Sequence, residues 1–440
     1  MKPLYTAAEM KVAEAGHDVD VLMERAAHAV AAAVRERYPH ARRIRAVCGK
    51  GANGGDGRIA VQLLREDGLD AEESTEVSDA DVVVDALFGT GFSGAPRAEA
   101  ADLIRRINEA PAPVVAVDIP SGVDASTGEV PGDAVEAEVT VTMHGLKVGL
   151  VVGPGRFRSG DVVVADIGLE HRATTHALVG AQVLEGVPRK RDGDNKYTAG
   201  SVLVVGGARG MTGAAALCAR AAFRADAGYV AVAAPAESLP VLETLVLEAV
   251  KRPLDEVMAA AERARALAIG PGLGRGERER ELVRRLLSET RVPAVVDADA
   301  LDGLEPVARE AVTVLTPHSG ELGRLLDEES AWVDAHRLAA VARAVERFGC
   351  VVLLKGPDTL VGAPREGVWV VSDNVPALAS AGTGDVLTGV VAAFLAKGLD
   401  ARTAAVAGAV AHRRAARAAG RPAGLVASDV IEALPAALGS

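Results

Sequence analysis

The feature that most constrains this chain is a repeated grammar. Short apolar runs stop abruptly at glycine, proline or an acid, and a helix-like stretch follows each. In the first third, residues 44–48 read as a buried strand ending in GKGANGGDG, with helices over 22–38 and 58–66. Residues 81–88 (DVVVDALF) form a strand before GTG, 98–110 a helix, and 114–119 (VVAVDI) a strand closed by PSG. The same grammar restarts near Lys196 with strands over 202–205, 266–269, 294–296, 312–315 and 351–354 and a helix over 214–225. Two helices, 385–396 and 401–419, are expected to close the chain. Continuous apolar strands alternating with helices predict an α/β protein, its mostly parallel sheets covered on both faces.

At roughly 150 residues per domain, 440 residues give two to three domains. The polar, turn-rich stretch EGVPRKRDGDN (185–195) predicts a boundary that divides the chain into 1–184 and 185–440. A net charge of −12 with 3% aromatic residues argues against a general nucleic-acid binder. Apolar residues at 49% exclude a disordered chain, and no uninterrupted apolar run reaches the length of a membrane span. Cys48, Cys218 and Cys350 are far apart and odd in number, which fits a reducing cytoplasm rather than a disulfide or zinc framework. The start of the chain lacks a basic-then-apolar signal pattern. A cytoplasmic enzyme without nucleic-acid or membrane partners, and homo-oligomeric, is the expectation.

Five glycines crowd residues 49–57 between a strand and a helix. Such a loop lets backbone N–H groups approach a phosphate, although the spacing does not match the dinucleotide fingerprint. Asp85 and Asp118 stand late in two predicted strands, where burial of a carboxylate demands a partner. With Asn53 and Ser121 they suggest hard oxygen ligands for an alkali cation. Lys147, in HGLKVGL, could supply positive charge; taken alone, a lysine is expected in solvent.

In the second block, NVPALASAGTGDVLTGVV (374–391) sets glycines and small residues before an apolar helix. Backbone N–H groups of 382–385 would form an anion hole on the positive end of that helix, with Asp385 beside it as a proton acceptor or, more simply, as a cap. Lys355-Gly356-Pro357-Asp358-Thr359 follows a strand and could hold nucleotide phosphates; His318 and the 270–274 glycine loop are candidate substrate contacts. Asp297 and Asp299 repeat the theme of acids at strand ends. There is no Walker A, GxSxG or HExxH motif.

In this order, GANGGDG, DALFGTGFSG, VDIPSGVDASTG, GLKVGLVVGPG, GSVLVVGGARGMTGAA, AIGPGLG, VVDADAL, LTPHSGELGRLL, LLKGPDT and NVPALASAGTGDVLTG resemble the bifunctional NAD(P)H-hydrate repair enzymes over nearly the whole chain. The resemblance implies a Rossmann-like three-layer N-terminal domain that epimerises the R and S hydrates of NADH and NADPH. It implies a ribokinase-like C-terminal domain that dehydrates the S form at the expense of ADP or ATP, ADP being expected here. Carried over, Asn53, Asp85 and Ser121 would hold potassium. Asn53, Gly54, Gly55, Asp56, the loop Gly89, Thr90, Gly91, Phe92, Ser93, Gly94, Ala95, and Asp118 and Lys147 would bind the hydrate, with Asp118 the acid/base for epimerisation. Ala214, Gly272, Gly274, His318 and Asp385 would contact the hydrate in the second domain. Lys355, Gly356, Pro357, Asp358, Thr359 and Gly384 would contact the nucleotide, Asp385 would be the base, and magnesium would attend phosphoryl transfer. Three positions depart from the family pattern: Ala52 replaces an asparagine, Ser319 a proline and Thr383 a serine. A small-molecule kinase with an accessory domain, and a ligand-binding role for the N-terminal domain, are the competing readings.

Overall fold

The structure, a computed structural model, describes residues 1–373 and 375–439. Asn374, the first residue of the 374–391 stretch, lies outside them, as does Ser440. Two compact units emerge. One holds Lys2–Ala177 with the short segment Asp334–Leu338, and the other holds the remainder from Leu178 onward.

The first unit is built on six strands: β1 (Arg43–Cys48), β2 (Asp70–Glu73), β3 (Val82–Ala86), β4 (Val114–Val117), β5 (Val139–Met143) and β6 (Asp161–Ala165). Their order is β2-β1-β3-β4-β5-β6, and every pairing is parallel. Helices α1 (Ala7–Glu14), α2 (Val19–Arg37), α3 (Ala52–Glu66) and α4 (Ala98–Glu109) surround the sheet. Alternation along β3 sends Val82, Val84 and Ala86 into the core shared with α2 and α3, and Val83 into the core shared with Ile104 and Ile107 of α4. The result is three layers of doubly wound, Rossmann-like architecture. Strand order reverses between β1 and β3, so a crevice forms at their carboxyl ends.

Nine strands organise the second unit: β7 (Ser201–Val205), β8 (Tyr229–Ala234), β9 (Val250–Pro253), β10 (Ala266–Ile269), β11 (Ala294–Val296), β12 (Thr313–Leu315), β13 (Val351–Leu354), β14 (Thr359–Gly362) and β15 (Val368–Val371). They run in the order β15-β14-β13-β12-β11-β10-β7-β8-β9. The stretch from β13 to β9 is parallel, and β14 and β15 pair antiparallel beyond β13. Helices α5 (Thr212–Arg224), α6 (Ser319–Leu326), α7 (Thr383–Ala396) and α8 (Ala401–Ala418) carry the elements that matter below. The reversal of order falls between β7 and β10. There the two loops touch, since a Cβ on Gly206 would sit 2.1 Å from the Pro271 carbonyl oxygen.

Three expectations need correction. The 49–57 segment is not a loop throughout: α3 begins at Ala52, well before the start at 58 that its polar and apolar pattern suggested. The glycines hide that start because their helix propensity is poor, yet close approach requires them, for a Cβ on Gly54 would lie 2.0 Å from the Gly49 carbonyl oxygen. The chain does not close with two helices; a third, Ala427–Gly439, follows α8 and buries Val430, Ile431 and Leu434. Lys147 is fully buried rather than solvated.

Candidate functional site

In the first unit the predicted residues converge at the β1/β3 crevice. Asp85, at the end of β3, is wholly buried. Its carboxylate accepts from the Ser121 N–H at 2.8 Å and the Ser121 hydroxyl at 2.6 Å, with the Leu87 N–H at 3.3 Å. Burial nevertheless lifts its pKa to about 6, against those hydrogen bonds, and no cationic side chain contributes. Asn53 donates from Nδ2 to the Phe88 carbonyl at 2.9 Å, and the Phe88 N–H donates to Ser121 Oγ at 2.9 Å. Asn53, Asp85 and Ser121 thus form one oxygen-rich knot.

Asp118 follows β4 with φ of 68°, a left-handed backbone that a non-glycine residue adopts at a cost. The turn delivers its carboxylate to Lys147, whose Nζ lies 2.6 Å from Oδ1. Lys147 also donates to the Met143 carbonyl at 2.6 Å and to Thr142 Oγ1 at 3.0 Å. All three ammonium hydrogens are used, which is how the cation tolerates full burial. The Thr90 N–H reaches Asp118 Oδ2 at 3.3 Å, tying the 89–95 loop to the acid. In that loop Phe92 stacks on Phe88 with centroids 4.5 Å apart, and Gly91 faces open space; Ser93, Gly94 and Ala95 continue the chain beyond it. Gly55 faces Met23 of α2. Asp56, in the second turn of α3, is buried, and its Oδ1 has no hydrogen-bond partner among the described residues. Burial first, then the charges of Asp118 and Glu14, push its pKa to about 8.

In the second unit Gly382 (φ 85°) is the N-cap of α7 and supplies no side-chain cap; the Thr383 N–H donates to the Ser380 carbonyl at 3.4 Å, and those of Gly384 and Asp385 are left open to an anion. Asp385 is the third residue of α7 and not its cap. Burial and then the neighbouring charge of Asp297 raise its pKa to about 7, with Lys355 opposing. Lys355 leaves β13 and sets Nζ 2.7 Å from Asp297 Oδ1, and a Cβ on Gly384 would stand 3.5 Å from that ammonium. Burial works against the charge on Lys355, yet Asp297 and Glu321 hold its pKa above the ordinary lysine value. Thr388 of α7 donates to Asp297 Oδ2 at 2.5 Å, locking helix to sheet. In the sequence Asp297 is only one more strand-end acid; its position before a 3₁₀ turn is the sole signal of this bracing role.

Arg413 of α8 is a further contributor that the sequence did not reveal. It donates to the carbonyls of Gly356 (2.7 Å) and Pro357 (3.1 Å) and to Thr359 Oγ1 (2.8 Å), fixing the turn around Asp358. A cavity of about 240 Å³ opens between that turn and α7, lined by Lys355, Gly356, Pro357, Thr359 and Gly384 among others. Ala214, Gly272 and Gly274 lie at the β7/β10 reversal. The Gly272 carbonyl (φ 61°) accepts from the Ala208 N–H at 2.7 Å, and the Gly274 N–H donates to Asp299 at 3.0 Å. His318 caps α6, its Nδ1 accepting from the N–H groups of Gly320 (3.0 Å) and Glu321 (3.3 Å), and its side chain is exposed.

Fold and sites together define a two-unit α/β enzyme, one unit Rossmann-like and the other of the ribokinase type with a helix-terminus anion hole. Comparison with known proteins agrees. A family described as NAD(P)H-hydrate dehydratase matches residues 202–435, and one described as YjeF-related protein N-terminus matches residues 19–72 and 65–149. The bifunctional NAD(P)H-hydrate repair enzyme Nnr of Moorella thermoacetica is 36% identical, covering 98% of this chain and 96% of its own. The Escherichia coli protein of the same name is 34% identical over 89% of this chain and 83% of its own. A crystal structure of ADP/ATP-dependent NAD(P)H-hydrate dehydratase from Bacillus subtilis, co-crystallized with ATP/Mg²⁺, matches with a TM-score of 0.56 at 27% identity, covering 59% of this chain and 97% of that one. This chain belongs to the family of bifunctional NAD(P)H-hydrate repair enzymes.

Proposed function

We propose that residues 1–184 epimerise NADH- and NADPH-hydrate and that residues 185–440 dehydrate the S epimer at the expense of ADP. The observation that carries this reading is that each unit pairs a lysine with an aspartate at the carboxyl edge of its own parallel sheet, Lys147 fully buried and Lys355 half-buried.

Hydration of a dihydronicotinamide puts a hydroxyl on a carbon bonded to the ring nitrogen. Asp118, paired with the Lys147 ammonium, takes the hydroxyl proton as the carbon–nitrogen bond opens to an aldehyde. The nitrogen keeps the bonding pair, then attacks the other face of the carbonyl, and Asp118 returns the proton to oxygen. Lys147 acts through Asp118. A potassium ion would suit the knot beneath: Asp85 is a buried carboxylate with no counter-charge among the described residues, and Asn53, Ser121 and the Phe88 carbonyl add hard oxygens. When bound, it would neutralise Asp85 and hold the crevice loops.

In the second unit Asp385 removes the hydroxyl proton, and the oxygen attacks the terminal phosphoryl group of ADP. The open N–H groups of Gly384 and Asp385 and the Lys355 ammonium take up the developing charge. Loss of inorganic phosphate from the phosphorylated carbon, with a proton from the adjacent carbon, restores the double bond of NADH and leaves AMP. Magnesium, when bound with the nucleotide, would supply further charge neutralisation. Ala214, Gly272, Gly274 and His318 would contact the hydrate, and Lys355 to Thr359 the nucleotide.

The test is the fate of phosphate. Release of one inorganic phosphate per NADH formed supports the dehydratase. A stable phosphorylated product without NADH would favour a small-molecule kinase.

A further inference from the structure

Among the described residues, five polar side chains line the cavity beside α7: Lys355, Thr359, Thr383, His412 and Arg413. Four are committed to protein partners. Lys355 pairs with Asp297, Arg413 donates to Thr359 and to backbone carbonyls, and Thr383 Oγ1 donates to the carbonyls of Leu378 (2.9 Å) and Ser380 (2.8 Å). His412 differs. The Thr383 backbone favours a proton on one ring nitrogen, while Nε2 is buried with no hydrogen-bond partner among the described residues.

A buried polar atom without a partner costs free energy unless a ligand or water supplies one. Burial, followed by the adjacent Arg413 charge, holds the His412 pKa down to about 3, so the imidazole is neutral under any working condition. With its single proton on the other nitrogen, Nε2 is a bare acceptor. It calls for a neutral N–H donor on a ligand that otherwise suits apolar walls, here Val375, Pro376, Leu378 and Leu387. About 240 Å³ is below the roughly 300–1,000 Å³ of pockets that enclose a drug-sized ligand, so one ring system fits rather than a whole nucleotide. Lys355 and the α7 N-terminus mark the phosphate end. The remaining volume is left for the base.

We infer that His412 Nε2 accepts a hydrogen bond from the 6-amino group of the donor nucleotide, making this site selective for adenine. This rests on the reading of the cavity as the nucleotide site. A 6-oxo purine would present an acceptor to an acceptor, and a purine without a 6-substituent would leave Nε2 unpaired.

Titration calorimetry on the full chain with magnesium decides it, comparing ADP, purine riboside 5′-diphosphate and GDP. The two analogues should bind the natural chain about 10- to 100-fold more weakly than ADP. In His412→Leu, ADP and purine riboside 5′-diphosphate should bind within about twofold of each other. His412→Gln keeps an acceptor and should retain the preference, with melting curves confirming that each variant folds. Equal binding of ADP and purine riboside 5′-diphosphate by the natural chain overturns the inference without any variant. So does a full preference surviving in His412→Leu. Failure of every diphosphate to bind overturns instead the nucleotide reading beneath it.

Discussion

Replacing Asp385 by asparagine separates catalysis from stability in a way that only a buried base permits. The carboxyl has a pKa of about 7 in the folded chain, against 3.8 ordinarily. Below pH 4 it is protonated in both states, and asparagine imitates it. Between pH 4 and 7 the folded chain holds a proton that the unfolded chain releases, so rising pH erodes stability. Above pH 7 the loss is complete. The interval from 3.8 to 7, at about 1.4 kcal/mol for each tenfold change in proton activity, is about 4 kcal/mol as an upper bound. That interval already contains the opposing charge of Lys355, and partial exposure to water reduces it to roughly 2–3 kcal/mol. The substituted amide carries no charge and escapes that loss. Asp385→Asn should therefore melt with the natural chain at pH 4. At pH 8 the transition of its second unit should lie higher by about 4–10 °C. NADH recovery from the S hydrate should fall by about 10²–10⁴-fold. The assays are scanning calorimetry across pH and NADH absorbance. A melting difference independent of pH, or a variant less stable at pH 8, would refute the burial argument. Activity within about tenfold of the natural chain would refute the role of base.

Other perturbations have defined outcomes. Lys147→Met leaves the Asp118 carboxylate buried and unpaired, so the first unit should lose about 3–5 kcal/mol in denaturant titration, and Lys147→Met with Asp118→Asn should recover most of it. Asp297→Asn removes the leading charge that raises Asp385, so the acid limb of the dehydratase pH profile should move below 7; an unmoved limb would detach Asp297 from the base. Replacing potassium by choline at constant ionic strength should lower the melting temperature of the first unit, and Asp85→Asn should abolish the difference.

The alternation of apolar strands with glycine- or acid-terminated turns made both sheets legible, because strands buried on both faces carry continuous apolar runs. Ala266–Ile269, Ala294–Val296 and Val351–Leu354 are apolar throughout, and each forms a strand over the residues its run predicts. Strand β5 escaped notice because Thr140 and Thr142 alternate with its valines and imitate a half-solvated strand. Both are fully buried, Thr140 donating to the Ser159 carbonyl at 2.7 Å and Thr142 facing Asp118 and Lys147. Lys147 itself lies 29 residues from the carboxylate that justifies its burial, a pairing that no local pattern encodes. For the same reason His-Arg-Arg in α8 reads as a polar face, although Arg413 is taken up by carbonyls 56 and 57 residues upstream. Strand ends and their acids were visible in the sequence; the long-range partners that decide which charges go inside were not.

That two chemically separate sites act on one hydrate is tested most directly with a racemic NADH-hydrate, ADP, magnesium and potassium, following the return of NADH absorbance. The natural chain should recover both epimers in full. Asp118→Ala should stop near half, then creep upward only at the spontaneous rate of epimer exchange, while its initial rate on the S form is unchanged. Full and rapid recovery by Asp118→Ala would contradict the account, as would loss of the S-form reaction in that variant.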